Sequence, residues 1–415
     1  MKKKWILRIS LMLCAMLLLS IVTLAFACRN TDIPKLYFEG NIAHMYEKSD
    51  VRYISFVYDN GETKTKGYAT LKVQGTSSLG YDKKNYTINL FADEEHEEKL
   101  KLDLGMGWGA QNKYCLKANW IDRTHARNVV TARLVSQVQQ KYDLLTQAPC
   151  NGAVDGFPIE IYDNGSFHGL YTFNIPKDEW QFGMDSDQSN HIVLGGEWNN
   201  PDGLFEALSQ DFETWSVEVG EENEQTLAKL NRLQDFFINS TDEEFVANFD
   251  QYMNLDALLN YYIFTDFAYL PDNLSKNMLL ATYDGQVWYP SLYDLDTSWG
   301  ADFHGKELYD YENKLVNQKS SNLFRRLEQC YSEELVQRYF ELRQDILTKE
   351  NVMAEFNSFR DEIPWLTFAK ETVKWGNGFI REPSDLPGFD YDQIEAYLDY
   401  MIPVLDEKYS NLMNQ

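Results

Sequence analysis

Cysteine and histidine are scarce in this chain of 415 residues, which has five Cys and six His. Cys14, Cys28, Cys115, Cys150 and Cys330 are too few and too widely spaced for a disulfide scaffold, and none sits at zinc-ligand spacing. They read as small apolar residues. His44, His96, His125, His168, His191 and His304 share no ligand spacing, which argues against a histidine metal centre. Basic residues are also short, with 38 Lys+Arg against 64 Asp+Glu and a net charge of −26. A phosphate backbone requires clustered Lys and Arg, so nucleic acid is excluded as a partner. There is no internal repeat and no low-complexity tract, and 14% aromatic residues supply ample core, which excludes disorder over most of the length.

The one long hydrophobic run lies at the start. Lys2, Lys3, Lys4 and Arg8 precede an apolar stretch from Ile9 to Phe26, which ends at Ala25-Phe26-Ala27-Cys28. A basic flank, an apolar run and an A-x-A site read as a secretory leader, residues 1–27. Cys28 adds a lipoprotein reading, because Leu24 to Cys28 loosely resembles a bacterial lipobox. An uncleaved membrane anchor is the next alternative and free secretion the third. Each places the body outside the cytoplasm, with membrane contact only through the leader or a lipid. Removing the leader's four cations from −26 leaves −30 for the exported part.

After a tether at 28–48 the pattern turns to strands. Val51–Tyr58 and Gly67–Val73 flank the Asp59-Asn60-Gly61 turn. A strand at 84–91 puts Tyr86, Ile88 and Leu90 on one face, and another follows at 113–120. A helix is expected from an Asp122 cap, with Val129, Val130, Leu134, Val135 and Val138 as its stripe. A second hairpin, 157–162 and 167–173, turns at Asp163-Asn164-Gly165-Ser166. Residues 178–222 read as irregular. Beyond 223 helices are expected at 224–239, 254–267, 321–347, 352–371 and 391–412, interrupted by a strand pair at 277–283 and 286–289. The expected fold class is α+β, with a β-rich N-terminal lobe at 49–222 and an α-rich C-terminal lobe at 223–415, joined at a cleft. Trp180, Trp198, Trp215 and Trp299 are expected to pack core or lobe interface rather than to form a sugar platform.

Two segments around that strand pair carry chemistry. Asp272-Asn273-Leu274-Ser275-Lys276-Asn277 sets an acid and an Asn five residues apart between a helix and a strand, the layout of a kinase catalytic loop. Asp294-Leu295-Asp296, after the second strand and before Trp299-Gly300, offers carboxylates to a hard cation such as Mg²⁺. Asp294 and Asp296 share a side if that segment is extended. Either segment alone is a turn rich in Asp, Asn and Ser; in this order, joined by one hairpin, they favour a metal-phosphate site.

The sequence resembles the CotH (spore coat protein H) kinases, atypical secreted protein kinases, in four places. These are Val73–Ser78 with Tyr81–Tyr86, Leu116–Asp122 with Arg127-Asn128, Gly169-Leu170-Tyr171, and Asp272–Gly300. The resemblance implies a bilobal kinase-like fold that moves the γ-phosphoryl group of ATP to Ser or Thr of an extracytoplasmic or spore-coat protein, with Mg²⁺ or Mn²⁺. By motif position Asp272 would be the catalytic acid, and Asn277, Asp294 and Asp296 the metal residues. Lys83 or Lys84, with Arg127 and Asn128, would contact the phosphates. The helix after Asp122 has no acid from Arg123 to Tyr142, so a lysine's usual helix partner must come from elsewhere. Asn174 stands where members often carry Glu. Two other readings stand beside the kinase: a non-catalytic surface or coat-assembly protein on the same scaffold, and a D-x-D carbohydrate-active enzyme.

Overall fold

The computed structural model describes residues 33–197, 204–301, 316, 321–376 and 388–413. The leader, Cys14, Cys28, Trp198 and His304 lie outside the described residues. The fold is α+β, with strands concentrated in the first half and helices in the second.

Seven strands close into a barrel: β1 (Lys35–Glu39), β2 (Val51–Asp59), β3 (Lys64–Gln74), β4 (Asn85–Phe91), β5 (Lys113–Lys117), β6 (Gly156–Asp163) and β7 (Ser166–Asn174). Their order is β1-β2-β3-β4-β5-β7-β6, and β1 closes the ring by pairing parallel to β6, Lys35 opposite Glu160. Closure leaves no free edge. Period-two alternation fills the interior. In β4, Tyr86, Ile88 and Leu90 point inward as the sequence pattern predicts, joining Phe56, Leu71, Tyr114, Ile159 and Phe173.

A second sheet, in the order β11-β10-β8-β9, contains β8 (Ile192–Gly196), β9 (Trp215–Val219), β10 (Met278–Thr282) and β11 (Tyr289–Leu292). The stretch read as irregular therefore holds two strands. They are short, and Gly195-Gly196 ends the first, so pattern alone does not reveal them; β8 gains its order by pairing with β10, far away in sequence. β11 begins at Tyr289, where its expected span ended.

The helices are α1 (Arg127–Lys141), α2 (Glu224–Asn239), α3 (Asp242–Asn248), α4 (Leu255–Phe267), α5 (Asn322–Cys330), α6 (Ser332–Leu342), α7 (Lys349–Glu362), α8 (Trp365–Trp375) and α9 (Gly388–Leu412). Two long expected helices are each broken. Tyr331 separates α5 from α6, and Pro364 separates α7 from α8, where the ring removes a helical donor. α1 starts five residues after Asp122. Even so, Asp122 caps it at a distance, its Oδ2 accepting from the Arg127 amide at 2.8 Å. α4 is buried nearly all round and sits at the centre of the helical core with Trp299, Phe356 and Tyr397. Trp215 and Trp299 are core residues and Trp180 packs edge-on to Trp108 and Tyr114, which matches the packing expectation. Cys115, Cys150 and Cys330 are free thiols.

Candidate active site

The β10–β11 hairpin decides where the chemistry gathers. Met278 pairs with Leu292, so the entry to β10 lies beside the exit of β11. Asn273 bolts the two segments together: its Nδ2 donates to the Tyr293 carbonyl at 2.9 Å and to that of Asn277 at 3.3 Å. Asn277 also donates its amide to Gly196 O at 3.2 Å. Asp272 and Asp294, 22 positions apart in sequence, come close enough to affect each other's ionisation. Burial first, then Asp294, pushes the Asp272 carboxyl up, with Lys276 opposing.

The segment after β11 is not extended. Asp294 has φ 56°, in the left-handed region, so the same-side argument for Asp294 and Asp296 does not hold as stated. Tyr269 (φ 52°), Asn277 (φ 64°) and Trp299 (φ 56°) share that uncommon conformation, so backbone strain collects around the site. The surroundings hold it in place. Asn128 of α1 accepts the Leu295 amide at 2.7 Å, Arg127 Nε donates to Ser298 O at 3.1 Å, and Trp299 Nε1 donates to Thr131 at 2.8 Å. Asp296 still comes near the other acids. Its carboxyl is raised to about 8, by burial first, then by Asp294, with Asp122 and Asp272 adding and Lys117 opposing.

The cation facing these acids is Lys117, the last residue of β5. Its Nζ lies 3.3 Å from Asp294 Oδ1, and over the Tyr293 ring at 5.1 Å. Burial pulls its ammonium down, yet Asp294, Tyr293 and Asp296 outweigh that and hold it above its ordinary value. The β3–β4 turn closes over the same place. Tyr81 there is raised by burial and by Asp296 and Asp294, and its ring stacks on Trp120. Gly75 makes the turn possible, with φ 106° and no room for a Cβ against Ser78 Oγ. Lys117, Asn128, Asn174 and Asp294 line a cavity of about 10 Å³, and the buried Asn174 Oδ1 has no hydrogen-bond partner.

Lys83 and Lys84 direct their donors elsewhere. Lys83 is buried and pairs with Glu371 of α8 at 2.7 Å, while also donating to Ala118 O at 2.9 Å and to Leu170 O. Glu371 accepts the Leu170 amide with its other oxygen at 2.7 Å. Lys84 donates to Leu79 O at 2.7 Å and to Tyr81 O, bracing the turn. Arg127 is turned inward, its guanidinium on Asp122 at 2.5 Å, rather than toward a phosphate. Asn128 positions Leu295 as described. Each of these four is thus engaged with the protein itself. No local pattern in Leu116–Asp122 marks Lys117 as the facing cation, and the only sign of Glu371 in the sequence is an acid on the apolar face of a helix.

Among the described residues no three His, Cys, Asp or Glu side chains form a ready coordination sphere. Mg²⁺ does not require one, since it commonly takes one or two carboxylates and completes its shell with phosphate oxygens and water. Asp294, whose side chain is 39% exposed, and Asp296 fit that pattern.

The sequence model of the family described as CotH kinase protein matches residues 71–410. No curated protein matches the chain.

Proposed function

The chain belongs to the CotH kinase family, and on that premise we propose that it is an exported protein kinase. It transfers the γ-phosphoryl group of ATP to Ser or Thr of an extracytoplasmic or spore-coat protein. The barrel serves as one lobe and the helical half as the other, in a kinase-like arrangement. The single observation that carries this reading is the Lys117–Asp294 contact, which joins a barrel strand to the loop after β11 beside Asp272 and Asp296. A divalent cation, Mg²⁺ or Mn²⁺, would be held by Asp294 with Asn277 and Asp296, and would neutralise phosphate charge. Lys117 supplies the placed positive charge on the phosphates. Asp272 orients the acceptor hydroxyl and takes its proton, a role suited to a carboxyl that burial and Asp294 already raise above its ordinary value. Catalysis here is positioning plus electrostatics.

The test is labelled phosphate transfer from ATP to an added acceptor protein. Asp272→Ala and Asp294→Ala should each lower it by about 10²-fold or more, on the scale of losing one acid–base or charge-stabilising group. Equal transfer by wild type and both variants would sink the reading.

One observation favours the non-catalytic alternative. A cavity of about 10 Å³ between Lys117 and Asp294 holds roughly one water, whereas ligand pockets run to about 300 Å³ or more. The kinase reading therefore requires the cleft to open around nucleotide. A rise in melting temperature with Mg²⁺ and ATP together, larger than the sum of the rises with each alone, supports opening. No rise under any of these conditions supports an assembly role.

A further inference from the structure

The barrel and helical core leave one helix with a second apolar face. α8 buries Thr367, Phe368 and Glu371 against β7. At about 100° per residue these lie together on one side of the helix. Trp365, Leu366 and Val373 fall on another arc, and they are 73%, 62% and 86% exposed. Lys370 and Lys374 lie between the two arcs. Lys370 bridges to Glu160 and sits 4.7 Å over the Phe167 ring, beside Tyr162. An exposed Trp-Leu-Val face edged by two Lys and flanked by aromatic rings is the pattern of a helix that lies in a bilayer interface. On a chain of net charge −26 it stands out as a local exception.

The position of α8 fixes which surface it meets. Glu160, which accepts from Thr367 Oγ1 at 2.6 Å, pairs in register with Lys35 at the start of β1. The apolar run of the leader ends at Phe26. Fully extended, the stretch from Phe26 to Lys35 spans at most about 30 Å. A leader held in a membrane therefore keeps the Lys35–Glu160 edge, and α8 beside it, within about 30 Å of that membrane.

We propose that the outer face of α8 docks on the lipid surface that holds the leader, Trp365, Leu366 and Val373 entering the interface and Lys374 meeting anionic headgroups. The chain then has a second membrane contact besides its leader. This fixes its orientation and not only its tether. The proposal rests on the leader residing in a bilayer and is independent of phosphoryl transfer.

The test uses the full chain reconstituted in phosphatidylcholine–phosphatidylglycerol vesicles with brominated acyl chains, which quench tryptophan at bilayer depth. Wild type is compared with Trp5→Phe, which reports the leader, and Trp365→Phe, which reports α8. The expected result is that each substitution removes its own share of the bromine-dependent quench. Leu366→Ser with Val373→Ser should abolish the share due to Trp365 and leave that of Trp5 intact. All these α8 positions are exposed, and unchanged melting temperatures check the fold. A quench that depends on Trp5 but not on Trp365 means a tethered chain with α8 off the bilayer, and overturns the proposal. No quench from either means that the leader does not insert, and overturns it on that separate ground. Protection of Trp365 from acrylamide without vesicles, growing with protein concentration, means that a second copy covers the face, and also overturns it.

Discussion

Two of the lysine–carboxylate pairs that tie the barrel to the rest of the molecule differ in almost everything but their chemistry. Lys83–Glu371 is buried on both sides, with side chains 1% and 6% exposed, and both Glu371 oxygens are hydrogen-bonded. Lys117–Asp294 is longer at 3.3 Å, and its carboxylate opens to solvent. The first pair sits in a satisfied network that includes the Tyr171 ring, 4.4 Å from Lys83 Nζ. The second stands beside two further acids, Asp272 and Asp296, which Lys276 and Lys117 offset only in part. A buried, saturated pair has no capacity left for a ligand, and its cost of desolvation is met only while both members are present. An open pair among excess carboxylates keeps capacity for a cation and phosphate. On the proposed reading, the lysine free to meet a phosphate is the less well bonded of the two.

Mutation should separate the pairs cleanly. Lys83→Met leaves Glu371 buried without its partner, and should cost about 3–5 kcal/mol of stability, measured by urea unfolding. Lys117→Met leaves Asp294 with access to water, so stability should move by less than about 1 kcal/mol while phosphate transfer falls by about 10²-fold. If Lys117→Met unfolds the protein as readily as Lys83→Met, the contrast collapses and both pairs are structural.

Sequence patterns revealed barrel strands β2 to β7 because alternation is local: Tyr86, Ile88 and Leu90 announce their face within five residues. They did not reveal β1, which lies in the stretch read as a tether and gains its order by pairing with β2 and, far along the chain, with β6. They pointed to the segments of Asp272, Asn277 and Asp294 together because those segments flank one hairpin, which does bring them side by side. They did not reveal β8 or β9, whose partners lie across the chain. Nor did they separate Lys83 from Lys117. Alternation along the strand that begins at Lys84 sets Lys83 on the side away from Tyr86, Ile88 and Leu90, but nothing local says that an acid 288 positions later occupies that side. Pairings closed by tertiary packing are invisible to periodicity, and Lys83–Glu371 and Lys117–Asp294 are both of that kind.

Each pair also has a titrating neighbour. His168 lies near Lys83, its ring stacked on Tyr171, and burial first, then Lys83 and Lys374, lower it to about 3. An unfolded histidine takes up a proton near pH 6.5. The folded chain refuses it, so this stability is present above about 6.5 and is lost as pH falls toward about 3. His168→Phe should flatten that acid limb by about 2 kcal/mol between pH 6.5 and 4, read from urea midpoints. An unchanged acid limb would mean that the imidazole is hydrated and that the Lys83 side is less closed than the contacts suggest.

Asp296 is the corresponding neighbour of Lys117, and its sign is opposite. Its carboxyl is raised from 3.8 to about 8, so the stability it contributes is complete below about 3.8 and is lost as pH rises through about 8. Without metal the chain should lose about 1–2 kcal/mol between pH 5 and 8.5, and Asp296→Asn should remove that loss. A divalent cation competes with the proton for the same oxygens, so Mg²⁺ should restore stability at pH 8.5 and do little at pH 5. Melting curves at both pH values, with and without Mg²⁺, measure this. The Lys83 side supplies the control, because Lys83→Met should leave the Mg²⁺ effect intact where Asp294→Ala removes it. Equal Mg²⁺ stabilisation in wild type and Asp294→Ala would place the cation elsewhere and leave the open pair without the role its spare carboxylates imply.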